Sequence, residues 1–227
     1  MAENKKIIIL LGGRSNLAKG LIKKNKETKH FSKIILFSQT NNNAQHSEAF
    51  VQIEKALCVV SLFTKLQEVF DSFSDAEKYV VFAGTPSDRS LYRDEDVLMR
   101  ALNSVVVGVI ALSVREGARF FIVGSSLIFV PFLYSSSYKT LKRLEYDLFQ
   151  ALRLVVNNIH YIVCHPIRPV RSSIGGYISI SISELLAILF SSSNKCVEFD
   201  AELYTGGKIK VMTAKLFQYI SRVTGWR

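Results

Sequence analysis

Acidic residues are scarce in this sequence: 19 Asp and Glu stand against 29 Lys and Arg over 227 residues, for a formal net charge of +10. Such an excess excludes an acidic, self-solvating chain and calls for an anionic partner. Nucleic acid, an acidic carrier protein, a nucleotide sugar and a dinucleotide all satisfy it. Cysteine is nearly absent. Cys58, Cys164 and Cys196 are odd in number, far apart and in apolar surroundings, which argues against a disulfide framework or a metal site and fits reduced core thiols of a cytoplasmic protein. Long apolar runs are missing too. Those around Val105 to Leu112 and Leu127 to Tyr134 fall short of the roughly 20 residues of a membrane span, so no membrane partner is expected. Ile7 to Leu11 is too short for the apolar region of a signal peptide, and no small-residue cleavage site follows it. Lysines concentrate in KKNKETKH without the interleaved aromatics of a single-strand stacking platform, so nucleic acid is not expected as the partner.

What is present is a hydrophobic content of 48%, enough for one sizeable core, and a single domain spanning 1–227 is the expectation. Apolar runs of strand length alternate with amphipathic segments. Lys5 to Leu11, Ile34 to Phe37, Leu57 to Ser61, Tyr79 to Phe82, Phe120 to Val123, His160 to Cys164 and Cys196 to Leu203 read as strands. A lysine-rich stretch after Gly20, Thr64 to Phe73, Asp94 to Gly117, the segment around Tyr138, and Ser183 to Phe190 read as helices. Short connections with that alternation demand right-handed crossovers, so the fold class is α/β, a doubly wound Rossmann-type parallel sheet with helices on both faces. A last helix, about 213–226, is an appendage with Leu216, Phe217, Ile220 and Val223 on one face. The sheet, another subunit or an acidic surface would cover that face. Between Val105 and Leu112 the Asp94 to Gly117 helix is apolar all round; such a helix needs cover on both sides, and a homodimer or homotetramer is expected.

Two stretches carry candidate chemistry. After the first strand, Gly12, Gly13, Arg14, Ser15, Asn16 and Leu17 form a glycine turn into a helix, where backbone can approach a pyrophosphate and free N–H groups hold its charge. Later, Phe120 to Val123 leads into Ser125 and Ser126, and Tyr138 and Lys142 stand four positions apart, one above the other on a helix face. By spacing alone that pair also suits an ordinary solvated face. As chemistry, an ammonium beside a phenol favours phenolate and tunes a tyrosine for acid/base work, while serine hydroxyls donate to a developing oxyanion.

A strand ending in Ser-Ser, a loop, and a helix opening Ser-Ser-Ser-Tyr-x-x-x-Lys resembles the active-site segment of the short-chain dehydrogenase/reductase family, and partial motifs follow in order from Lys6 to Gly207. In the family's Gly-x-x-x-Gly-x-Gly, Gly12 takes the first glycine, Asn16 the second and Ala18 the third. Ala83-Gly84 resembles half of its Asn-Asn-Ala-Gly. Pro166 matches its Pro-Gly-x-x-x-Thr stretch, with Ile167 in place of Gly and Ser172 or Ser173 standing for Thr. The resemblance implies an NAD(P)-dependent oxidoreductase moving a hydride between nicotinamide and a small carbonyl or alcohol substrate, and the charge argument leaves room for that substrate to be anionic. Tyr138 would be the acid/base, Lys142 the holder of the nicotinamide ribose, Ser126 or Ser125 the polarising hydroxyl, and Asn103 the relay amide. Cofactor contacts are implied for Gly12 to Leu17, Ser38, Ala83, Gly84, Tyr138, Lys142, Pro166 and Ile167. No acid follows the second strand, where Ser38 stands, and Arg14 and Ser15 lie in the glycine turn, so NADP is favoured, with NAD as the alternative. Between Ser172 and Ser183 there is little room for the family's substrate lid. Two other readings stay open: a relative of nucleotide-sugar epimerases and dehydratases, or a dinucleotide-binding sensor or partner protein without catalysis.

Overall fold

The computed structural model describes residues 5–11, 16–37, 59–82, 117–125, 136–154, 158–164, 189–190, 197–199, 202–204, 216, 219–220 and 223. In chain order they form β1 (Lys6–Leu11), α1 (Asn16–Thr28), β2 (Lys33–Phe37), α2 (Val59–Ser72), β3 (Glu77–Phe82), β4 (Arg119–Ser125), α3 (Ser136–Leu152), β5 (Ile159–Cys164), β6 (Val197–Phe199) and β7 (Glu202–Tyr204). The strands make one seven-stranded sheet in the order β2-β1-β3-β4-β5-β7-β6. All neighbours are parallel except β6 and β7.

The strands read as nearly unbroken β-branched and aromatic runs because both faces of the sheet are covered. On one face Ile8, Leu10, Ile34, Leu36, Tyr79, Val81, Phe121 and Ile162 join Leu17, Ala18 and Leu21 of α1 and Leu189. Alternate residues, among them Ile7, Ile9, Ile35, Val80, Phe120, Ile122, Tyr161 and Val163, pack on the other face against Leu66, Val69 and Phe70 of α2 and Tyr146 and Phe149 of α3. This is the doubly wound Rossmann-type α/β fold.

Local chemistry sets the turn from α1 into β2. Lys29 adopts a left-handed backbone at φ 49° and its N–H donates to the Asn25 carbonyl at 2.7 Å, closing the helix as an αL cap does. The Asn25 side chain then accepts from the Phe31 N–H at 2.8 Å and donates to the Phe31 carbonyl at 2.9 Å. Gly117, at φ 66°, makes the corresponding left-handed turn just before β4.

Two expectations are corrected. Val59, Val60 and Ser61 are the opening of α2 and not the end of a strand. The β-branched pair invites a strand reading, but Val59, Leu62, Leu66, Val69 and Phe73 continue one stripe at helical spacing, and that phase prevails. The strand expected over Cys196 to Leu203 is two, since Phe199 registers with Glu202 in an antiparallel pair; a two-residue connection permits only a hairpin. The expected helix over Asp94 to Gly117 lies outside the described residues but for Gly117. The Ser183 to Phe190 helix is described only at 189–190, where it is helical.

Candidate functional site

From β1 the chain moves through α1 to β2 on one side, and it returns through α2 to β3 on the other side of β1. The order therefore reverses between β1 and β3, whose last residues Leu11 and Phe82 register opposite each other. In a doubly wound sheet the crevice at the carboxyl ends of such a strand pair is where ligands sit. α1 runs antiparallel to the strands and points its N-terminus at this edge. Its first turn holds no acid, so no side chain of that turn offsets the partial positive charge there.

Of the glycine turn, Gly12, Gly13, Arg14 and Ser15 lie outside the described residues, as do Ser38, Ala83, Gly84, Asn103, Ser126, Pro166 and Ile167. Asn16 opens α1. Leu17 is 6% exposed and belongs to the core under α1, so what it can offer a nucleotide is its backbone N–H. Ser125 is the last residue of β4, and Tyr138 lies in the first turn of α3.

Lys142 is described with its side chain. It is 3% exposed, and its Nζ donates to the Val123 carbonyl of β4 at 3.2 Å and to Glu145 Oε2 at 2.8 Å. The first bond sets the height of α3 against β4. α3 runs antiparallel to β4, so moving from Lys142 back to Tyr138 rises about 6 Å toward the carboxyl edge of the sheet, and moving from Val123 on to Ser125 rises about 6.6 Å toward the same edge. The backbones at Tyr138 and Ser125 thus stand at a similar height, at the end of a strand next to β3. Adjacent strands lie about 4.8 Å apart, so Lys142 is a strand's width from the crevice wall.

The floor beneath is aromatic. Tyr146 and Phe149 of α3 meet the Tyr161 ring of β5 with centroids 5.2 and 5.3 Å away. Tyr161 lies so closely over β4 that a Cβ at Gly124 would fall within its ring and hydroxyl. Only glycine fits between Val123, which holds Lys142, and the end of the strand. Spacing pointed to neither Gly124 nor Glu145. The available signal for Glu145 was its place three residues after Lys142, on the same helix face.

Among the described residues, no group of three His, Cys, Asp or Glu side chains is arranged to hold a metal, and no helix is long and apolar enough to cross a membrane.

No family profile matches the chain, and no curated protein matches its sequence. Solved structures do share the fold. A short-chain dehydrogenase from Burkholderia cenocepacia J2315 in complex with NADP aligns with a TM-score of 0.66 at 14% identity, over 96% of this chain and 97% of its own. A short-chain dehydrogenase/reductase family oxidoreductase from Brucella ovis, with a partially ordered NAD, gives 0.57 at 12% identity over 89% of this chain and 100% of its own. The UDP-glucose 4-epimerase of Thermotoga maritima with UDP-glucose gives 0.53 at 11% identity, over 69% of this chain and 54% of its own. Identities this low speak for the fold alone.

Proposed function

We propose that the chain is a nicotinamide-dinucleotide oxidoreductase acting on a carbonyl/alcohol pair. The observation that carries this is the bond from Lys142 to the Val123 carbonyl, which brings the Tyr138 and Ser125 positions level at the carboxyl end of β4, beside the crevice between β1 and β3. The residues present suit the dinucleotide: an acid-free helix start meets the pyrophosphate, and a buried ammonium lies on the side where a ribose would stand. Arg14, Ser15 and the lack of an acid after β2 favour NADP over NAD, because nothing there repels a 2′-phosphate.

Bound in the crevice, the nicotinamide supplies or accepts the hydride. The protein's own part is proton management and placement. Tyr138 gives its phenolic proton to the carbonyl oxygen in reduction and takes it back in oxidation. The Lys142 ammonium favours the phenolate that this cycle passes through. Ser125 or Ser126 donates a hydrogen bond to the same oxygen, where negative charge develops. Ser125, thirteen positions before Tyr138, matches the family separation, while Ser126 matches its place in the doublet.

Titration calorimetry with NADPH and NADH, followed by a carbonyl substrate screen, tests the reading. Tyr138→Phe is expected to keep cofactor affinity and to lower turnover by at least about 100-fold, the usual weight of a positioned acid/base. Equal turnover in the variant rejects the assignment. Retained cofactor affinity with no turnover in either protein would favour the sensor reading.

A further inference from the structure

Four helical residues late in the chain reverse the usual arrangement of a surface helix. Leu216, Tyr219, Ile220 and Val223 are all helical, and their spacing puts them on one stripe about 100° wide and about 10 Å long. Such a stripe ordinarily packs on the core. Here Leu216 is 57%, Tyr219 66% and Val223 67% exposed, with Ile220 at 38% on the same stripe. The sheet therefore does not cover these side chains. Of the covers that the sequence allows, another copy and an acidic surface are left.

Charge decides between them. From Leu203 to Arg227 the sequence holds Lys208, Lys210, Lys215, Arg222 and Arg227 and no Asp or Glu, so half of the net charge of +10 lies in these 25 residues. A two-fold contact uses the same patch on both partners, which would set two such segments against each other at a cost in repulsion. An anionic occupant is attracted instead. A stable protein interface engages roughly 20–30 residues a side, far more than this short stripe supplies. A lipid leaflet has no contour to match and takes up a few apolar side chains beneath its headgroups. Tyr219, with an apolar ring and a polar tip, suits the headgroup level. Among the described residues no helix can cross a bilayer, which bears on spanning a membrane and not on lying along it.

We propose that the helix bearing Leu216, Tyr219 and Val223 docks on an anionic lipid leaflet, with its apolar stripe at the boundary of headgroups and acyl chains and the basic residues of 203–227 drawing it there. The surface is separate from the dinucleotide crevice and needs no part of the oxidoreductase reading.

Trp226, the single tryptophan of the chain, stands three positions after Val223, so its emission reports on this segment alone. Co-sedimentation and tryptophan emission of the full chain are measured with vesicles of phosphatidylcholine alone and of phosphatidylcholine with about 30% phosphatidylserine. The mixed vesicles are expected to bind at least about tenfold more tightly and to shift the emission to the blue, and half-molar salt is expected to remove most of the difference. Leu216→Ser, Tyr219→Ser and Val223→Ser together keep every charge; they are expected to abolish the blue shift and weaken binding about tenfold or more. Because these positions are exposed, a cooperative melt should be retained. Lys215→Gln with Arg222→Gln is a second, independent variant, expected to lose about 25-fold, or about fivefold for each charge near the leaflet.

Equal binding to the two kinds of vesicle overturns the proposal, as does unchanged binding and emission in the triple-serine variant. No vesicle binding at low salt overturns it in favour of an acidic protein groove. A light-scattering mass of two copies that falls to one in the triple-serine variant overturns it in favour of a contact between copies. Cofactor binding and turnover are measured without vesicles, so failure there leaves the lipid assignment standing, and failure of vesicle binding leaves the oxidoreductase reading standing.

Discussion

Two helices of this protein carry the same pair at the same spacing. On α2, Lys65 and Glu68 meet at 3.0 Å with side chains 46% and 55% exposed. On α3, Lys142 and Glu145 meet at 2.8 Å with side chains 3% and 7% exposed. Residue types, order and interval are identical, and the distances hardly differ. The exposed pair faces water, where solvent and salt screen it and its side-chain entropy cancels much of the attraction. The buried pair has given up hydration that neither partner regains if the other leaves. α3 repeats the contrast across its own width: Arg143 and Asp147, at 3.1 Å, form an outward pair 41% and 55% exposed. Orientation toward the sheet, and not pairing, distinguishes the candidate site from the rest of the helical surface.

The strongest way to break that contrast is to remove one buried partner. Glu145→Ala takes the 2.8 Å carboxylate away from a buried ammonium and is expected to cost about 3–5 kcal/mol, read as a fall in the urea midpoint. Lys142→Met with Glu145→Leu removes both charges and should restore most of that stability without restoring cofactor affinity. If the single and double variants lose equally, the site owes its stability to packing alone.

Next in size is the strand that receives Lys142. Gly124→Ala drives a methyl group into the Tyr161 ring, and either the ring or β4 must shift, at a cost of about 1–3 kcal/mol. Because Val123 moves with β4, this variant should also weaken NADPH binding. Among the described residues, the exposed pair on α2 bonds to no strand.

On the interior strand β3, a buried tyrosine gives a smaller effect. Burial first, and then the 2.9 Å hydrogen bond that Tyr79 donates to Glu77 together with the Glu77 charge, push the Tyr79 phenol up to about 12, against a smaller opposing pull from Arg119. The folded state therefore holds this proton to higher pH than the unfolded chain does. The stability it contributes is complete below pH 10, the ordinary tyrosine value, and is lost as pH rises from there toward 12. Denaturation midpoints across that window should fall more steeply for the unaltered protein than for Tyr79→Phe, and parallel slopes would contradict the assignment.

The smallest effect belongs to the solvent pair. Lys65→Ala is expected to change stability by about 0.2–1 kcal/mol or less, and half-molar salt should erase the difference. A loss as large as that of Glu145→Ala would mean that exposure does not govern these pairs.

Much of the architecture was legible before any coordinates. Parallel strands buried on two faces need uninterrupted apolar runs, and those at β1, β2, β3, β4 and β5 stand out at once. The errors fell where local pattern is ambiguous. Val59 and Val60 have strand-forming side chains but sit in phase with a helix, and a turn inside Cys196 to Leu203 carries no glycine or proline to announce it. At the candidate site, the Tyr138 and Lys142 positions on one helix, and the strand ending at Ser125, were readable as motif. Glu145 was not, because a glutamate three residues from a lysine is common on any helix surface.

The residue order by itself determined the alternation of elements, the parallel sheet and the shared helix that carries Tyr138, Lys142 and Glu145, since periodicity of 2 or 3.6 is a local property of the chain. Only tertiary packing decided that this face of α3 turns inward, that the Val123 carbonyl receives Lys142, and that Gly124 yields its space to Tyr161. Those contacts join residues far apart in sequence. Their energies depend on how much water is excluded when helix meets sheet, and water exclusion belongs to the assembled layers and to no single stretch of the chain.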